Sequence, residues 1–205
     1  MKIDLHVHCS ERSGCAHSTE EEQIKTAISQ GLDAIAFTDH FEFITLERQA
    51  ELNRKYAPFR IFRGIEVTLT GYQEDFLIFG VDSLSLEEKK WTYPKLHAFV
   101  RQNNGYMVMA HPFRYNPQVS PEILGLLPDA IEVRTMNTPA VAEQRILDVA
   151  ARYKLKMMWN SDAHVKEWLG SFFNVIDGKQ QLPATDKGLP AFLTAATFTR
   201  GGVGV

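Results

Sequence analysis

The sequence predicts an α/β fold: a seven-stranded or distorted β/α barrel or, as the alternative, a doubly wound open sheet. Short segments rich in β-branched and aromatic residues alternate with amphipathic helical patterns along the chain, which favours a largely parallel sheet. The 205 residues suffice for one domain with a hydrophobic core but are tight for an eightfold barrel. We therefore expect a single domain over residues 1–205.

Eight segments have the composition of strands, and helical patterns separate most of them. Strands are expected at residues 3–8, 34–38, 61–69, 76–81, 106–110, 130–134 and 156–159, with a weaker pattern at 172–176. Helices are expected at residues 19–30, 46–56, 86–103, 139–153 and 189–199, with a short one opened by Ser120 and Pro121. Ser18 fits an N-cap, Gly31 a position just past a helix end, and Pro139 a first helical position.

The composition is that of an ordinary globular protein, with 44% hydrophobic and 23% charged residues. A net charge of −3 gives no strong signal for nucleic-acid binding. The sequence shows no leader-peptide pattern and no apolar run long enough for a membrane span, so we expect a cytoplasmic protein without a membrane partner. Cys9 and Cys15 fit reduced thiols better than a disulfide or a zinc pair. The oligomeric state stays open.

Histidines collect where predicted strands end. Five of the seven lie in, or just beyond, the carboxyl ends of these segments: His6, His8, His40, His111 and His164. In α/β proteins with parallel strands this edge is where active sites are built. His6 and His8 are two residues apart on one strand, so their side chains point to the same face and can chelate one metal ion. Alone, the pattern also fits a half-exposed strand.

Carboxylates accompany these histidines. Asp162 and His164 follow another strand with the same two-residue spacing, although Asp162 alone would also suit a helix cap. Glu66 interrupts an apolar strand, where a charged side chain needs water or a cation, although an exposed strand Glu is equally common. Asp39, beside His40, could orient an imidazole or cap the next element. Their recurrence at one sheet edge favours a metal site.

Five motifs in order resemble the PHP (polymerase and histidinol phosphatase) domain family. They are Asp4-Leu5-His6-Val7-His8, Thr38-Asp39-His40, Gly64-Ile65-Glu66, Ala110-His111-Pro112 and Ser161-Asp162-Ala163-His164, and they cover residues 3–164. The resemblance implies a distorted seven-stranded β/α (TIM-like) barrel of the PHP type with two or three Zn, Mn or Fe ions. It also implies a ligand set: His6, His8 and Asp162 for one ion, Glu66 bridging it to a second that His111 serves, and His40 and His164 for a third.

Two parts of the implied ligand set are less settled. The family usually adds a ligand to the third ion from the loop after the first strand, and here the candidates are Glu11, which we prefer, and His17. Many members also carry a His on the strand after the bridging Glu. This chain has none there, so Asp75 or water would have to substitute. His97 lies in a helical pattern and is expected not to be a ligand.

The activity implied is hydrolysis of a small phosphomonoester or nucleotide by a metal-activated water, with His6, His8, Glu66 and Asp162 as the catalytic residues. Arg114, three residues past His111, is the first candidate for binding substrate phosphate. Weaker candidates of the same kind are Arg12, Arg63 and Arg134. The alternatives are an amidohydrolase-type enzyme that cleaves a C–N bond, and a non-catalytic, metal-stabilised module that binds a phosphorylated ligand.

Overall fold

A computed structural model describes residues 1–71, 73–178 and 180–202. The strands are β1 (Lys2–Val7), β2 (Ala34–Phe37), β3 (Arg60–Thr68), β4 (Asp75–Phe79), β5 (Tyr106–Met109), β6 (Ala130–Arg134), β7 (Lys156–Trp159), β8 (Phe173–Ile176) and β9 (Phe198–Gly201). The helices are α1 (Glu20–Ser29), α2 (Leu46–Lys55), α3 (Tyr93–Gln102), α4 (Pro121–Gly125), α5 (Glu143–Tyr153) and α6 (Leu189–Ala195). Within these residues no helix is long and apolar enough to cross a membrane.

The strands form one sheet in the order β7-β6-β5-β4-β3-β2-β1-β8-β9. Because β7 at one edge contacts β9 at the other, the sheet curves into a nearly closed barrel. The expected α/β barrel is therefore confirmed in outline, but the expectation of seven strands is wrong, since the described residues form nine. The ninth strand replaces the end of the helix expected at residues 189–199, which stops at Ala195.

The sheet is less parallel than expected, because four of its eight strand pairs are antiparallel. Strand β4 reverses direction between β3 and β5. The connection from β3 to β4 spans only residues 69–74, too short for the helical crossover that a parallel pair requires. As a result, the first residue of β4, Asp75, lies beside the last residue of β3, Thr68.

Local capping explains where the helices begin. Thr19 caps α1, and its side chain and that of Glu22 form a reciprocal capping box. The predicted cap, Ser18, instead accepts a hydrogen bond from the backbone N–H of Lys166 at 2.8 Å. The helix expected at 86–103 is divided into a short 3-10 turn and α3, because Pro94 fits only the first turn of a helix. Likewise α5 starts at Glu143, after a 3-10 turn.

Strand β1 is buried on both faces. Ile3, Leu5 and Val7 occupy one face, and Val7 packs in a cluster with Ile24 of α1. The opposite face carries the polar residues of the strand, and those side chains reach carboxylates from distant strands. The alternation that places every second residue on the same side of a strand thus separates the helix-facing core from a polar barrel interior.

The buried side chain of Asn174 links three strands at the closing side of the barrel. Its Oδ1 accepts from the Trp159 N–H at 3.0 Å, and its Nδ2 donates to the Trp159 carbonyl at 2.8 Å. A further 3.4 Å contact joins Nδ2 to the Ile3 carbonyl. The amide therefore supplies to the end of β7 the paired hydrogen bonds that a neighbouring strand would give.

Candidate metal centre

His6 and His8 lie side by side on β1 and have no exposed surface. Their Nε2 atoms are 3.0 Å apart. The Nδ1 atom of His6 faces Glu132 at 3.0 Å, and that of His8 faces the hydroxyl of Ser13 at 3.2 Å. Since the Ser13 hydroxyl donates its proton to Asp39 at 2.7 Å, it can accept one from His8. These contacts orient both rings so that Nδ1 faces a hydrogen-bonding partner and Nε2 points toward the candidate metal position.

Two buried carboxylate oxygens converge on these ring nitrogens. Glu66 Oε2 lies 3.4 Å from His6 Nε2 and 3.2 Å from His8 Nε2. Asp162 Oδ1 lies 3.2 Å from each of the same two nitrogens. Neither oxygen has a partner in hydrogen-bonding geometry among the described residues. Buried carboxylate oxygens that lack a hydrogen-bond partner and lie beside ring nitrogens are an environment that a cation stabilises.

Four overlapping groups of three side chains can each hold a metal ion within the described part of the chain. They are His8, His40 and His164; His6, His8 and Glu66; His6, His111 and Asp162; and Glu66, Asp75 and His111. All the expected ligands except Glu11 belong to these groups. The residues present therefore fit a centre of several divalent cations, and the nitrogen-rich donor set suits borderline metals better than Ca²⁺ or Mg²⁺.

Asp75 belongs to the metal-binding group that also contains Glu66 and His111. Glu66 Oε1 lies 3.0 Å from His111 Nε2, and Asp75 Oδ2 lies 3.7 Å from the same nitrogen. The sequence left open whether Asp75 or water stands where relatives carry a His. The reversed direction of β4 brings Asp75 to this edge of the sheet, beside the end of β3. Its other oxygen, Oδ1, is buried without a hydrogen-bond partner.

Glu11 lies outside the four groups formed by the described residues. Its carboxylate accepts a hydrogen bond from the backbone N–H of Glu20 at 3.1 Å, at the positive end of α1. His17 is exposed and also belongs to none of the groups. The loop after β1 folds back so that the His17 N–H donates to the His164 carbonyl. The backbone of this loop, and not either predicted side chain, therefore contacts the group of His8, His40 and His164.

The predicted phosphate-binding residue Arg114 lies at the entrance to the centre. Its side chain is 29% exposed, and Nη1 is 3.8 Å from Asp162 Oδ2. The weaker candidates have structural partners: Arg12 pairs with Asp39 and Glu20, Arg63 with Asp82, and Arg134 with the Thr138 carbonyl. Of the four arginines, Arg114 alone ion-pairs with a residue of the four metal-binding groups.

Sequence reasoning missed two residues that hold the ligands in place. Glu132 is fully buried; it accepts from the His111 N–H at 2.9 Å and from Asn160 Nδ2 at 2.7 Å, in addition to facing His6. Asn137 donates to Asp162 Oδ2 at 2.8 Å. Like Glu66, Glu132 is a carboxylate in an otherwise apolar strand, so the same sequence pattern could have identified it. Asn137 lies in a loop and carries no such signal.

Comparison with known proteins identifies the family. The PHP domain profile matches residues 4–172, most of the chain. The chain belongs to the PHP domain family. The resemblance seen in the sequence is therefore confirmed. No curated protein matches the sequence.

Solved structures share the fold of this PHP domain. PsfC from Pseudomonas syringae PB-5123 superposes with a TM-score of 0.70 at 18% identity, covering 100% of this chain and 91% of its own. A two-domain protein from Bacteroides vulgatus ATCC 8482 is described as containing a predicted PHP-like metal-dependent phosphoesterase. It superposes with a TM-score of 0.62 at 21% identity, covering 80% of this chain and 52% of its own. The lesion-specific endonuclease PfuEndoQ from Pyrococcus furiosus superposes with a TM-score of 0.63 at 14% identity, covering 96% of this chain and 57% of its own. At these identities the similarity shows the fold alone.

The candidate metal ligands of this PHP domain lie close enough to shift one another's pKa values. Burial alone would lower the pKa of His8, but the Asp162 and Glu66 carboxylates beside its ring raise it to about 9. Burial would raise the pKa of Glu66, but the neighbouring imidazoles, His40 first, hold it well below its usual value. Burial and then the charge of His8 lower the pKa of His164 to about 4. Glu66 is thus anionic and His164 neutral, the forms in which each binds a metal.

Backbone strain is concentrated at this centre. His111 and Asp162 have φ angles of 26° and 53°, and Phe41, which follows His40, has 52°. Residues other than glycine rarely adopt such angles, and each costs on the order of 1–3 kcal/mol. The hydrogen bond that the His111 N–H donates to Glu132, and the one that Asn137 donates to Asp162, help to hold this strained arrangement.

The role of Glu132 can be tested by Glu132→Gln. The amide keeps the shape of the side chain but cannot accept from both His6 and the His111 backbone as a carboxylate does. We expect metal affinity to fall by about 10- to 100-fold, the usual effect of losing a ligand-orienting partner. Competition with a chromophoric chelator measures it. The exposed Glu47 provides the matched control, Glu47→Gln, and equal affinities in the two variants would contradict the assignment.

Proposed function

We propose that this PHP domain hydrolyses a phosphate ester with water activated at a centre of two or three divalent cations. The observation that carries the proposal is that two neighbouring metal-binding groups share Glu66, whose Oε2 is buried without a hydrogen-bond partner among the described residues. Such sharing spaces neighbouring cations closely, the arrangement that suits a phosphoryl group bound by two of its oxygens. Membership of the PHP family supports the same reaction class.

Each residue has a distinct task in this proposal. His6, His8, Glu66 and Asp162 hold the cations nearest the reacting group, while His111 with Asp75, and His40 with His164, complete the set. Bound divalent ions of the Zn, Mn or Fe type supply Lewis acidity, which makes water nucleophilic near neutral pH and offsets charge on the phosphoryl group.

Arg114 is the proposed phosphate-binding side chain. Its guanidinium lies at the entrance and can donate two parallel hydrogen bonds to phosphoryl oxygens. Because its only ion-pair partner among the described residues is Asp162 at 3.8 Å, it can turn toward a substrate at little cost. This placement orients the ester with its phosphoryl group toward the carboxylates and its organic group toward solvent.

A small phosphomonoester or nucleotide is the proposed substrate. The PHP profile accounts for residues 4–172, and the net charge of −3 does not favour a polyanion. The fold also occurs in an endonuclease, so oligonucleotides belong in the substrate screen beside small esters. A cyclic amide belongs there too, since cleavage of a C–N bond is the alternative reaction. We also propose a cytoplasmic location, in keeping with the free Cys9 and Cys15.

Metal analysis combined with a screen of phosphorylated metabolites tests the proposal. We expect the purified protein to hold two or three divalent ions per chain and to release phosphate when Mn²⁺ or Zn²⁺ is supplied. His8→Ala should lose both metal and activity, because His8 belongs to two of the four groups. The control is His97→Ala, since His97 hydrogen bonds to Arg101 on α3 and belongs to none of them. Full metal and full activity in His8→Ala would refute the ligand assignment.

A further inference from the structure

An exposed aromatic side chain stands beside the metal centre. Tyr115 is 50% exposed, and it is the one aromatic residue among the large hydrophobic side chains that the described structure leaves exposed. Its ring lies edge-on to His111, with 6.2 Å between ring centroids and 88° between planes. Its position beside a candidate metal ligand makes this ring available to stack on a molecule bound at the centre.

The ring of Tyr115 is held in place by its neighbours. The Arg114 guanidinium lies over one part of it, 4.9 Å from the centroid. The loop is fixed to the rest of the barrel by Asn116, whose Nδ2 donates to the Gln73 carbonyl at 2.9 Å and to Glu74 at 3.1 Å. Arg145 also stacks on Phe113, at 4.2 Å from its centroid. A ring presented to solvent on a fixed loop loses little entropy when it stacks on a ligand.

Arg114 joins this ring to the proposed phosphate position. The same guanidinium that contacts the Tyr115 ring also faces Asp162 Oδ2 at 3.8 Å. A phosphoryl group bound by Arg114 would therefore leave its organic substituent next to Tyr115. Burial first, and then the nearby carboxylates of Asp75, Glu66 and Asp162, raise the pKa of the Tyr115 phenol, which agrees with a position facing the centre.

We propose that Tyr115 is a specificity-determining residue that stacks on a planar aromatic group of the substrate, such as a nucleobase, while Arg114 binds the phosphate. This inference rests on the proposed phosphoesterase function and narrows its substrate class. Stacking tolerates different ring chemistries because every base offers a π-face. The subsite thus favours phosphate esters with a planar aromatic group over sugar or polyol phosphates, without distinguishing one base from another.

The test compares adenosine 5′-monophosphate with ribose 5-phosphate, which lacks the base. In the metal-loaded protein, Tyr115→Ala should lower kcat/KM for the nucleotide by about tenfold relative to that for the sugar phosphate, the effect of losing one stacking partner. Tyr115→Phe should keep the wild-type ratio. Equal losses of kcat/KM on both substrates in Tyr115→Ala would overturn the proposal. A large loss of kcat/KM for the nucleotide in Tyr115→Phe would also overturn it, because it would show that the hydroxyl group, and not the ring, makes the contact.

The matched control is Tyr153→Ala. Tyr153 ends α5, and the preceding Arg152 lies over its ring at 5.4 Å, so it reproduces the Arg-Tyr pair away from the metal centre. We expect Tyr153→Ala to keep the wild-type ratio of kcat/KM for adenosine 5′-monophosphate to kcat/KM for ribose 5-phosphate.

Adenosine binding, measured by calorimetry, separates this inference from the proposed hydrolysis because it requires no reaction. It should weaken about tenfold in Tyr115→Ala and stay unchanged in Tyr153→Ala. A protein that binds adenosine through Tyr115 but releases no phosphate would refute the proposed function alone. Adenosine binding that is unaffected by Tyr115→Ala would refute the subsite.

Discussion

Glu66→Gln is expected to lower kcat for phosphoester hydrolysis by about a thousand-fold, equivalent to about 4 kcal/mol of transition-state stabilisation. Glu66 belongs to two of the four metal-binding groups, and its two oxygens approach different histidines. The amide removes the negative charge and replaces one donor oxygen with an NH₂ group that repels cations. Steady-state kinetics, with metal content measured on the same sample, gives the result.

Glu122→Gln is a suitable control for this substitution. Glu122 lies exposed in α4 and belongs to none of the metal-binding groups, so the same chemical change there should alter neither activity nor metal content. A Glu66→Gln protein with a full metal complement and near wild-type kcat would show that Glu66 does not bridge the ions.

Removal of the metal ions is expected to lower Tm by about 8–16 °C. A ligand present at a thousand times its Kd stabilises the folded state by about 4 kcal/mol, and a domain of this size changes Tm by about 2–4 °C per kcal/mol. Without cations, Glu66 and Asp162 keep buried oxygens that have no hydrogen-bond donor, and the strained residues lose a stabilising interaction. Differential scanning calorimetry before and after dialysis against a chelator measures the shift.

Re-addition of Mn²⁺ or Zn²⁺ should restore the original Tm, which separates metal loss from irreversible damage. In His8→Ala the chelator should shift Tm much less, since that variant lacks a ligand common to two groups. An identical Tm with and without chelator in the wild type would mean that the centre contributes nothing to the stability of the fold.

Much of the candidate site could be predicted because its ligands follow strands whose composition is unambiguous. His6 and His8 share a face through the two-residue period of a strand, which needs no tertiary information. Glu66 was visible as a charge within an apolar segment. The number of strands and their directions were harder to predict. The reversal of β4 follows from the short 69–74 connection, and β9 is a four-residue segment directly after a helix, where a helical pattern masks it.

The loop ligand could not be predicted from distance along the chain. Glu11 lies three residues past His8, but the loop turns so that its carboxylate meets the start of α1 instead. Asn137 was equally hidden, because its contact with Asp162 depends on how two loops approach each other. Both depend on the tertiary path of loops, which composition and periodicity do not encode.

The order in which the ribosome makes this chain delays its metal centre. β1 emerges first, with its pair of imidazoles, but Asp162 and Asn174, which complete its surroundings, follow only after about 150 further residues. At roughly 5–20 residues per second, that is an interval of about 8–30 seconds. During this interval the nascent chain gains Glu66 and then His111, but the two groups that contain Asp162 and His164 stay incomplete. We therefore expect the full set of candidate ligands to come together only when the barrel has folded.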